Sequence, residues 1–458
     1  MPDLRKSAIE FAHSNRDRFL EELSELIAIP SISADSEYRK DIQRAAEWLS
    51  AKLEKLGFEN IQIMPTAGLP LVYGEYMKAG KDAPTMMVYG HYDVQPADPV
   101  EQWESAPFEA TIRDEILIAR GSSDMKGQVI ASMAAVEAVI QSGDCPVNIK
   151  YFIEGEEEVG STGLDTAIME NKELFAADFA LNPDAGMLSP ELPTITYALR
   201  GLAYFEVYLS GPSHDLHSGL YGGTVLNPAN ELARLIAGMH DEEGRITLPN
   251  FYDNVRDLDK EEREELAKLP QDDHFYMEQT GSKELRGEVG FASVERATGR
   301  PTLDVNGMIS GYIGEGAKTV LPARASAKIS CRLVADQDPD EVHKQLIQYL
   351  EEAVRPGIEW KVVMHSKAVA SISERNSKEV QAMSKALETI WGVKPQFKRE
   401  GGTIPVVGYM QDLLGMESVL TGFGLPEDRM HSPNERLHLP TWEKGIDALI
   451  HFIYNLGE

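Results

Sequence analysis

The run Met86-Met87-Val88-Tyr89, apolar at every position and stopped by Gly90-His91, narrows most how this chain can fold. Alternation of apolar and polar residues marks a strand with one wet face. An unbroken apolar run marks a strand buried on both faces, and such strands belong to parallel sheets covered by helices. Ile149 to Ile153 runs into Glu154-Gly155-Glu156-Glu157-Glu158, Phe179 to Leu181 runs into Asn182-Pro183-Asp184, and Ser418 to Thr421 precedes the loop carrying His431. Helical spacing appears at Leu20, Leu23 and Ile27, at Ile42, Ala45, Leu49, Leu53 and Leu56 with Gly57 as the stop, and from Val129 to Ile140, ended by Gly143. The alternation predicts an α/β sheet flanked by helices, and open sheets of that kind bind ligands beyond the carboxyl ends of their strands. His91, Asp124, Glu157, Glu158, Asp184 and His431 are expected at that rim.

At 458 residues the chain exceeds the length over which one core usually keeps growing, so two domains are expected. From about Thr196 the pattern changes. Tyr204 to Leu209 and Ser326 to Leu333 alternate with period two, as half-exposed antiparallel strands do. Asn227-Pro228 opens a helix expected to reach His240, and Pro339 to Val354 gives another. Ile358 to Met364 is a strand, and one or two more fall near Met308 to Ile313. The order β-α-β-β-α-β is the ferredoxin-like plan. This second domain is placed at 196–373, inserted into a first made of 1–195 and 374–458 that resumes with a helix from Ser377 to Ile390. The charged, irregular stretch from Leu248 to Arg300 reads as a surface elaboration with no chemistry assigned to it.

Lys and Arg number 44 against 74 Asp and Glu, a formal net charge of −30. A chain this acidic repels phosphate backbones and anionic lipid surfaces, which argues against nucleic acid and membrane as partners. The start, Met1-Pro2-Asp3-Leu4-Arg5-Lys6-Ser7, leads into an amphipathic pattern rather than a secretory apolar stretch, and no uncharged apolar run is long enough to span a bilayer. The expected location is cytoplasmic. Cys145 and Cys331 are far apart in unlike contexts, so neither a disulfide framework nor a thiolate zinc site is indicated.

The polar residues at the strand ends carry the chemistry. In His91-Tyr92-Asp93 the carboxylate stands where a partner for a metal-bound imidazole would stand, although a His-x-Asp at a strand end also serves purely structural ends. Asp124, among small residues just before a helix, is either a ligand able to approach two ions or a helix cap. Glu156-Glu157-Glu158 sets three carboxylates side by side at the end of an apolar strand. Their mutual repulsion raises their pKa values, and bound cations would reverse the cost; the competing reading is a solvated acidic turn. Asp184 and His431 alone read as loop residues.

Taken in order, His91-x-Asp93, Gly121-Ser122-Ser123-Asp124-Met125-Lys126-Gly127, Glu157-Glu158-Val159-Gly160-Ser161, Asp184 and His431-Ser432-Pro433-Asn434-Glu435 resemble the motifs of the co-catalytic metallopeptidases. That family includes aminoacylase, glutamate-releasing carboxypeptidases and succinyl-diaminopimelate desuccinylase. Over essentially its whole length the chain looks most like the cytosolic nonspecific dipeptidase and carnosinase branch. The resemblance implies a zinc-peptidase-like catalytic domain with a mixed sheet, and a ferredoxin-like lid that also forms a homodimer interface. It implies that Asp124 bridges two divalent ions, that His91 and Asp184 complete one site and Glu158 and His431 the other, that Glu157 is the general base and that Asp93 steadies His91. His217, in His214-Asp-Leu-His217-Ser-Gly, matches a lid histidine that reaches the partner subunit's active site, against the alternatives of plain loop histidines or a His-x-x-His metal site. Thr319 and Arg332 match lid positions that hold the substrate's terminal carboxylate, a task the planar guanidinium fork suits, and Gly401-Gly402-Thr403 matches a loop doing similar work. Thr403 stands where the branch commonly has Ser.

The implied reaction is metal-dependent hydrolysis of dipeptides or very short peptides with a free C-terminal carboxylate. Glu157 takes a proton from a water held between the ions and later returns it to the leaving amine, while His217 steadies the oxyanion. The alternatives are an N-acyl amino acid deacylase or a carboxypeptidase on the same site, and a catalytically silent, metal-stabilised dimer. Two imidazoles with carboxylates and no thiolate suit Zn²⁺, Mn²⁺ or Co²⁺ about equally.

Overall fold

The computed structural model of the protein describes Leu4–Glu458, so the reading of Met1-Pro2-Asp3 as a lead into a helix lies outside the described residues. The chain forms two compact units. One comprises the residues up to Tyr197 with Ser373–Lys398 and Ile404–Glu458; the other comprises Ala198–Ile372 with Arg399–Thr403. The last segment was expected in the first domain as part of 374–458. It packs in the second unit, where the Arg200 Nε donates to Gly401 O at 3.1 Å and the Arg332 Nη1 to Thr403 Oγ1 at 2.9 Å.

In the first unit the apolar runs form the strands Thr85–His91, Asn148–Glu154, Phe179–Asn182 and Ser418–Leu420. Thr85–His91 lies between Asn148–Glu154 and Phe179–Asn182 and runs parallel to both, and Ser418–Leu420 is parallel to Phe179–Asn182. Leu71–Tyr76 and Glu59–Met64 extend the sheet in antiparallel fashion, so it is mixed. Every residue of Asn148–Glu154 is buried, which is why its sequence shows no alternation. Helix Lys126–Gln141 is apolar nearly all round because it too is enclosed: Leu4–Ser14, Arg16–Ile27 and Leu439–Asn455 pack on it, and the Trp442 Nε1 donates to Gly127 O at 2.7 Å.

In the second unit the strands lie in the order Thr302–Ser310, Arg324–Leu333, Gly201–Ser210, Glu359–Ala368, all antiparallel. Alternate residues Ala203, Phe205, Val207 and Leu209 face a core shared with Leu232 and Leu235 of helix Pro228–Ala237 and with Val342 and Leu346 of helix Pro339–Ala353. This is the ferredoxin-like order, with both helices on one face. The first helix ends at Ala237, short of the expected His240, which instead bridges to Ile246. The strand expected near Met308 to Ile313 begins earlier, at Thr302, and stops at Ser310. Leu248 to Arg300 is less irregular than its sequence suggests: it holds helices Lys260–Leu266, Asp273–Thr280 and Ser293–Thr298, the first two capped by Asp259 and Asp272. Each spans about two turns or fewer, too short to print a 3.6-residue period. Among the described residues no helix is long and apolar enough to cross a membrane, and Cys145 and Cys331 are free, buried thiols.

Candidate metal centre

The site lies at the carboxyl ends of the parallel strands. His91 is the last residue of its strand, Asp184 stands two residues past Phe179–Asn182, and Glu157 and Glu158 open a single 3-10 turn after Asn148–Glu154. Asp124 precedes helix Lys126–Gln141, and its carboxylate does not cap that helix. It faces two imidazoles instead, His91 Nε2 at 3.1 Å and His431 Nε2 at 2.9 Å. Two groups of side chains offer ligand atoms within 4.8 Å of one another, His91-Asp124-Asp184 and Asp124-Glu158-His431, with Asp124 common to both. His431 takes part from a backbone φ of 63°, in the left-handed region that only a few per cent of non-glycine residues occupy.

The electrostatics follow from that crowding. Burial, joined by repulsion from Asp184, Glu154 and Glu158, pushes the Glu157 carboxyl well above the usual carboxylate range. Burial, with repulsion from Asp124 and Glu158, raises Asp184 to about 7. Hydrogen bonds to Asp124 and Glu158 lift His431 to about 10. His91, against the opposing effect of burial, is raised by its bonds to Asp124 and Asp93, and the two imidazoles in turn hold Asp124 low. The donor set therefore carries more negative charge than its imidazoles neutralise even when protonated. Such a set fits divalent cations, which oxygen and imidazole ligands hold in groups of this size.

Asp93 braces the cluster in two ways. His91 Nδ1 lies 3.1 Å from the Asp93 carbonyl oxygen and 3.4 Å from its carboxylate, while that carboxylate accepts the backbone N–H groups of Glu157 at 3.2 Å and Glu158 at 3.1 Å. Sequence reasoning assigned Asp93 to His91 and did not see its hold on the 3-10 turn. It also missed Gln95, whose Nε2 donates to the Glu158 carboxylate at 2.8 Å, and nothing local to Gln95 signals this.

Glu435 was read only as the end of the His431 motif. Its fully buried carboxylate accepts from Gly121 N and Ser123 N at 3.0 Å, Asp124 N at 3.1 Å and Arg120 Nη1 at 2.8 Å, so it ties the loop of His431 to the loop of Asp124. Glu435→Ala leaves the Arg120 guanidinium and three amides without their acceptor in the interior, and the expected loss is about 3–5 kcal/mol of stability by urea unfolding. A loss under about 1 kcal/mol would show that the clasp is dispensable.

In the second unit Arg332 and Thr403 meet directly, and the Thr403 Oγ1 donates onward to Arg200 O at 2.5 Å, with Gly402 in the same loop. Thr319 immediately precedes the strand Val320–Leu321, which pairs with Leu216–His217: Ser218 N donates to Thr319 O at 3.0 Å, and His217 pairs with Val320. His217 Nδ1 accepts from Gly219 N at 3.0 Å, so the neutral ring carries its proton on Nε2. His214 contacts Ser213, and among the described residues neither histidine joins a group of three or more side chains that could hold an ion.

Carboxylates and imidazoles gathered at the rim of a mixed sheet, in a chain that also carries an inserted ferredoxin-like unit, define a metal-dependent hydrolase. Comparison with known proteins narrows the class. The model of Peptidase family M20/M25/M40 matches residues 87–455, and the chain belongs to that family; it is a metallopeptidase. It is 32% identical to the Cys-Gly metallodipeptidase DUG1 of Candida albicans, over 97% of this chain and 95% of that protein. It is 29% identical to the Beta-Ala-His dipeptidase of Homo sapiens, over 100% and 94% respectively. Among solved structures it resembles the M20 family metallo-carboxypeptidase Sso-CP2 from Sulfolobus solfataricus, with 34% identity, a TM-score of 0.85, and coverage of 96% of this chain and 99% of that one.

Proposed function

We propose that the chain is a two-metal exopeptidase acting on dipeptides and very short peptides that end in a free carboxylate. The observation that carries this reading is Asp124 facing both His91 and His431, with Glu157 beside the cluster yet in neither ligand group. Asp124 would be shared by the two ions, His91 and Asp184 would hold one and Glu158 and His431 the other, and Zn²⁺, Mn²⁺ or Co²⁺ would suit the set. When bound, such ions would supply Lewis acidity toward the scissile carbonyl and would lower the pKa of a coordinated water to about 7. Glu157, with its high proton affinity, takes the proton from the attacking water and delivers it to the leaving amine. Asp93 holds His91 and the Glu157 backbone in place. Arg332, Thr403, Gly402 and Thr319 receive the terminal carboxylate, which favours exopeptidase action. Two of the relatives, a Cys-Gly metallodipeptidase and a Beta-Ala-His dipeptidase, support the dipeptide reading.

The inserted unit acts as the lid and carries the homodimer interface, a reading supported by exposed Met308, Ile309, Tyr312 and Ile313 along and just past its edge strand. His217 of one protomer then donates through Nε2 to the oxyanion in the other. His217→Ala is expected to lower turnover without loss of metal. Mixed with Glu157→Gln protein it should regain about a quarter of wild-type activity, since hybrid dimers hold one intact site. No regain on mixing would sink the shared site. The chain works in the cytoplasm, supported by its two unpaired thiols, and its charge of −30 supports the absence of nucleic-acid and membrane partners.

A dipeptide, a tripeptide and an N-acetyl amino acid assayed side by side, with elemental analysis of the purified protein, test the reading. Preference for the N-acetyl amino acid would turn it into a deacylase. A second reading, release of C-terminal residues from longer peptides, is favoured by the likeness to the archaeal metallo-carboxypeptidase, and dominant cleavage of the tripeptide would establish it.

A further inference from the structure

The inserted unit contains a cavity of about 700 Å³, lined on one side by Asp304, Ser330 and Arg332 of the sheet and on the other by residues of the 240–300 segment, a size suited to a ligand. Arg200, Arg286, Arg296 and Arg300 join Arg332 around it, against only Glu288 and Asp304 among the carboxylates. This is a pool of positive charge in a chain of net charge −30. Arg300 is spoken for: its Nε and Nη2 hold the Glu288 carboxylate, each at 2.8 Å. Arg286 lies 3.0 Å from Glu284.

The other three guanidinium groups donate only to neutral oxygens. Arg200 Nε meets Gly401 O at 3.1 Å, Arg332 Nη1 meets Thr403 Oγ1 at 2.9 Å, and Arg296 Nε meets Glu288 O at 2.9 Å. Arg200 Nη1 is buried with no partner. Burial and the charge of Arg332 bring Arg200 down to about 10, a sign that two cations share one poorly solvated space. A carboxylate on Arg200 satisfies the orphaned donor and offsets the repulsion between the two cations, and Tyr276 and Leu285 offer apolar surface for the methylenes that carry it. A single α-carboxylate on Arg332 leaves most of such a volume empty.

We infer that this cavity seats the substrate's C-terminal residue and selects an acidic side chain there, held by Arg200 and Arg296. The inference rests on the assignment of the α-carboxylate to Arg332. The test compares Ala-Glu with its neutral isostere Ala-Gln, using metal-loaded full-length protein and the variant Arg296→Ala, with circular dichroism and metal content confirming that the variant is folded. Ala-Glu is expected to have at least about a tenfold higher kcat/KM, expressed in KM, and Arg296→Ala is expected to bring the ratio to about one. Equal values in the wild type, or a ratio that survives Arg296→Ala, overturn the inference. If neither dipeptide is cleaved, the dipeptidase reading fails by itself. Calorimetric binding of free L-glutamate over L-glutamine, lost in Arg296→Ala, then still upholds an acid-selecting cavity, and equal binding overturns it.

Discussion

Glu157→Gln is expected to keep the fold and the metal while kcat falls by about 10²–10⁴-fold, the range that a positioned acid–base group contributes. The reason is the separation of roles within one short acidic turn. Glu158 shares a ligand group with Asp124 and His431, whereas Glu157 stands outside both groups with its backbone N–H fixed by Asp93. Its carboxyl is pushed above the usual range by burial and by Asp184, Glu154 and Glu158, so it holds a proton more tightly than an ordinary carboxylate. Glutamine fills the same space and cannot accept that proton. Steady-state kinetics alongside metal analysis decide the matter: activity within about tenfold of wild type removes Glu157 from the base role, and loss of metal would place it among the ligands instead.

Stripping the metal with a chelator is expected to abolish turnover and to leave a protein whose stability falls as pH rises. Burial, joined by repulsion from Asp93, lifts Glu154 to about 8, and Asp184 reaches about 7, while the same carboxyls in the unfolded chain titrate near 4. The metal-free native state thus binds more protons than the unfolded chain across that window, and stability declines as pH climbs through it. His431 acts with the same sign at higher pH, because its folded value of about 10 lies above the unfolded value near 6.5. Asp124, held low by its imidazole bonds, contributes in the opposite direction only below about pH 4. A tenfold difference in proton affinity between the folded and unfolded chain corresponds to about 1.4 kcal/mol, so each pH unit climbed within a group's window removes up to about 1.4 kcal/mol for that group. Cations that take the place of those protons flatten the dependence. Urea midpoints for stripped and reloaded protein at about pH 5 and about pH 8 provide the check, and a stripped protein equally stable at both pH values would refute the account.

Much of this architecture is legible in the order of residues alone. Parallel strands buried on both faces leave little room for polar residues, so Thr85–His91 announces itself by the unbroken apolar run Met86 to Tyr89, and Asn148–Glu154 by a largely apolar run in which only Lys150, whose ammonium reaches Leu174 O and Ala176 O, interrupts before the rim. Period-two strands and the Asn227 cap with Pro228 after it reveal the ferredoxin-like unit in the same manner. The helices within 248–300 escaped because each is shorter than the window in which a helical period can be counted. Arg399–Thr403 escaped because its place in the second unit depends on Arg200 and Arg332, far away in the chain.

The sequence by itself determined which residues close each buried strand, since burial of both faces dictates local composition, and with it the chemistry available at the rim. Only the tertiary structure decided that Asp124 faces His91 and His431 instead of capping its helix, that Glu435 clasps the two loops together, and that unpaired arginines share one cavity. Asp124 and His431 are 307 positions apart. Such meetings follow from strand order and loop path, which the periodicity of a single segment does not encode.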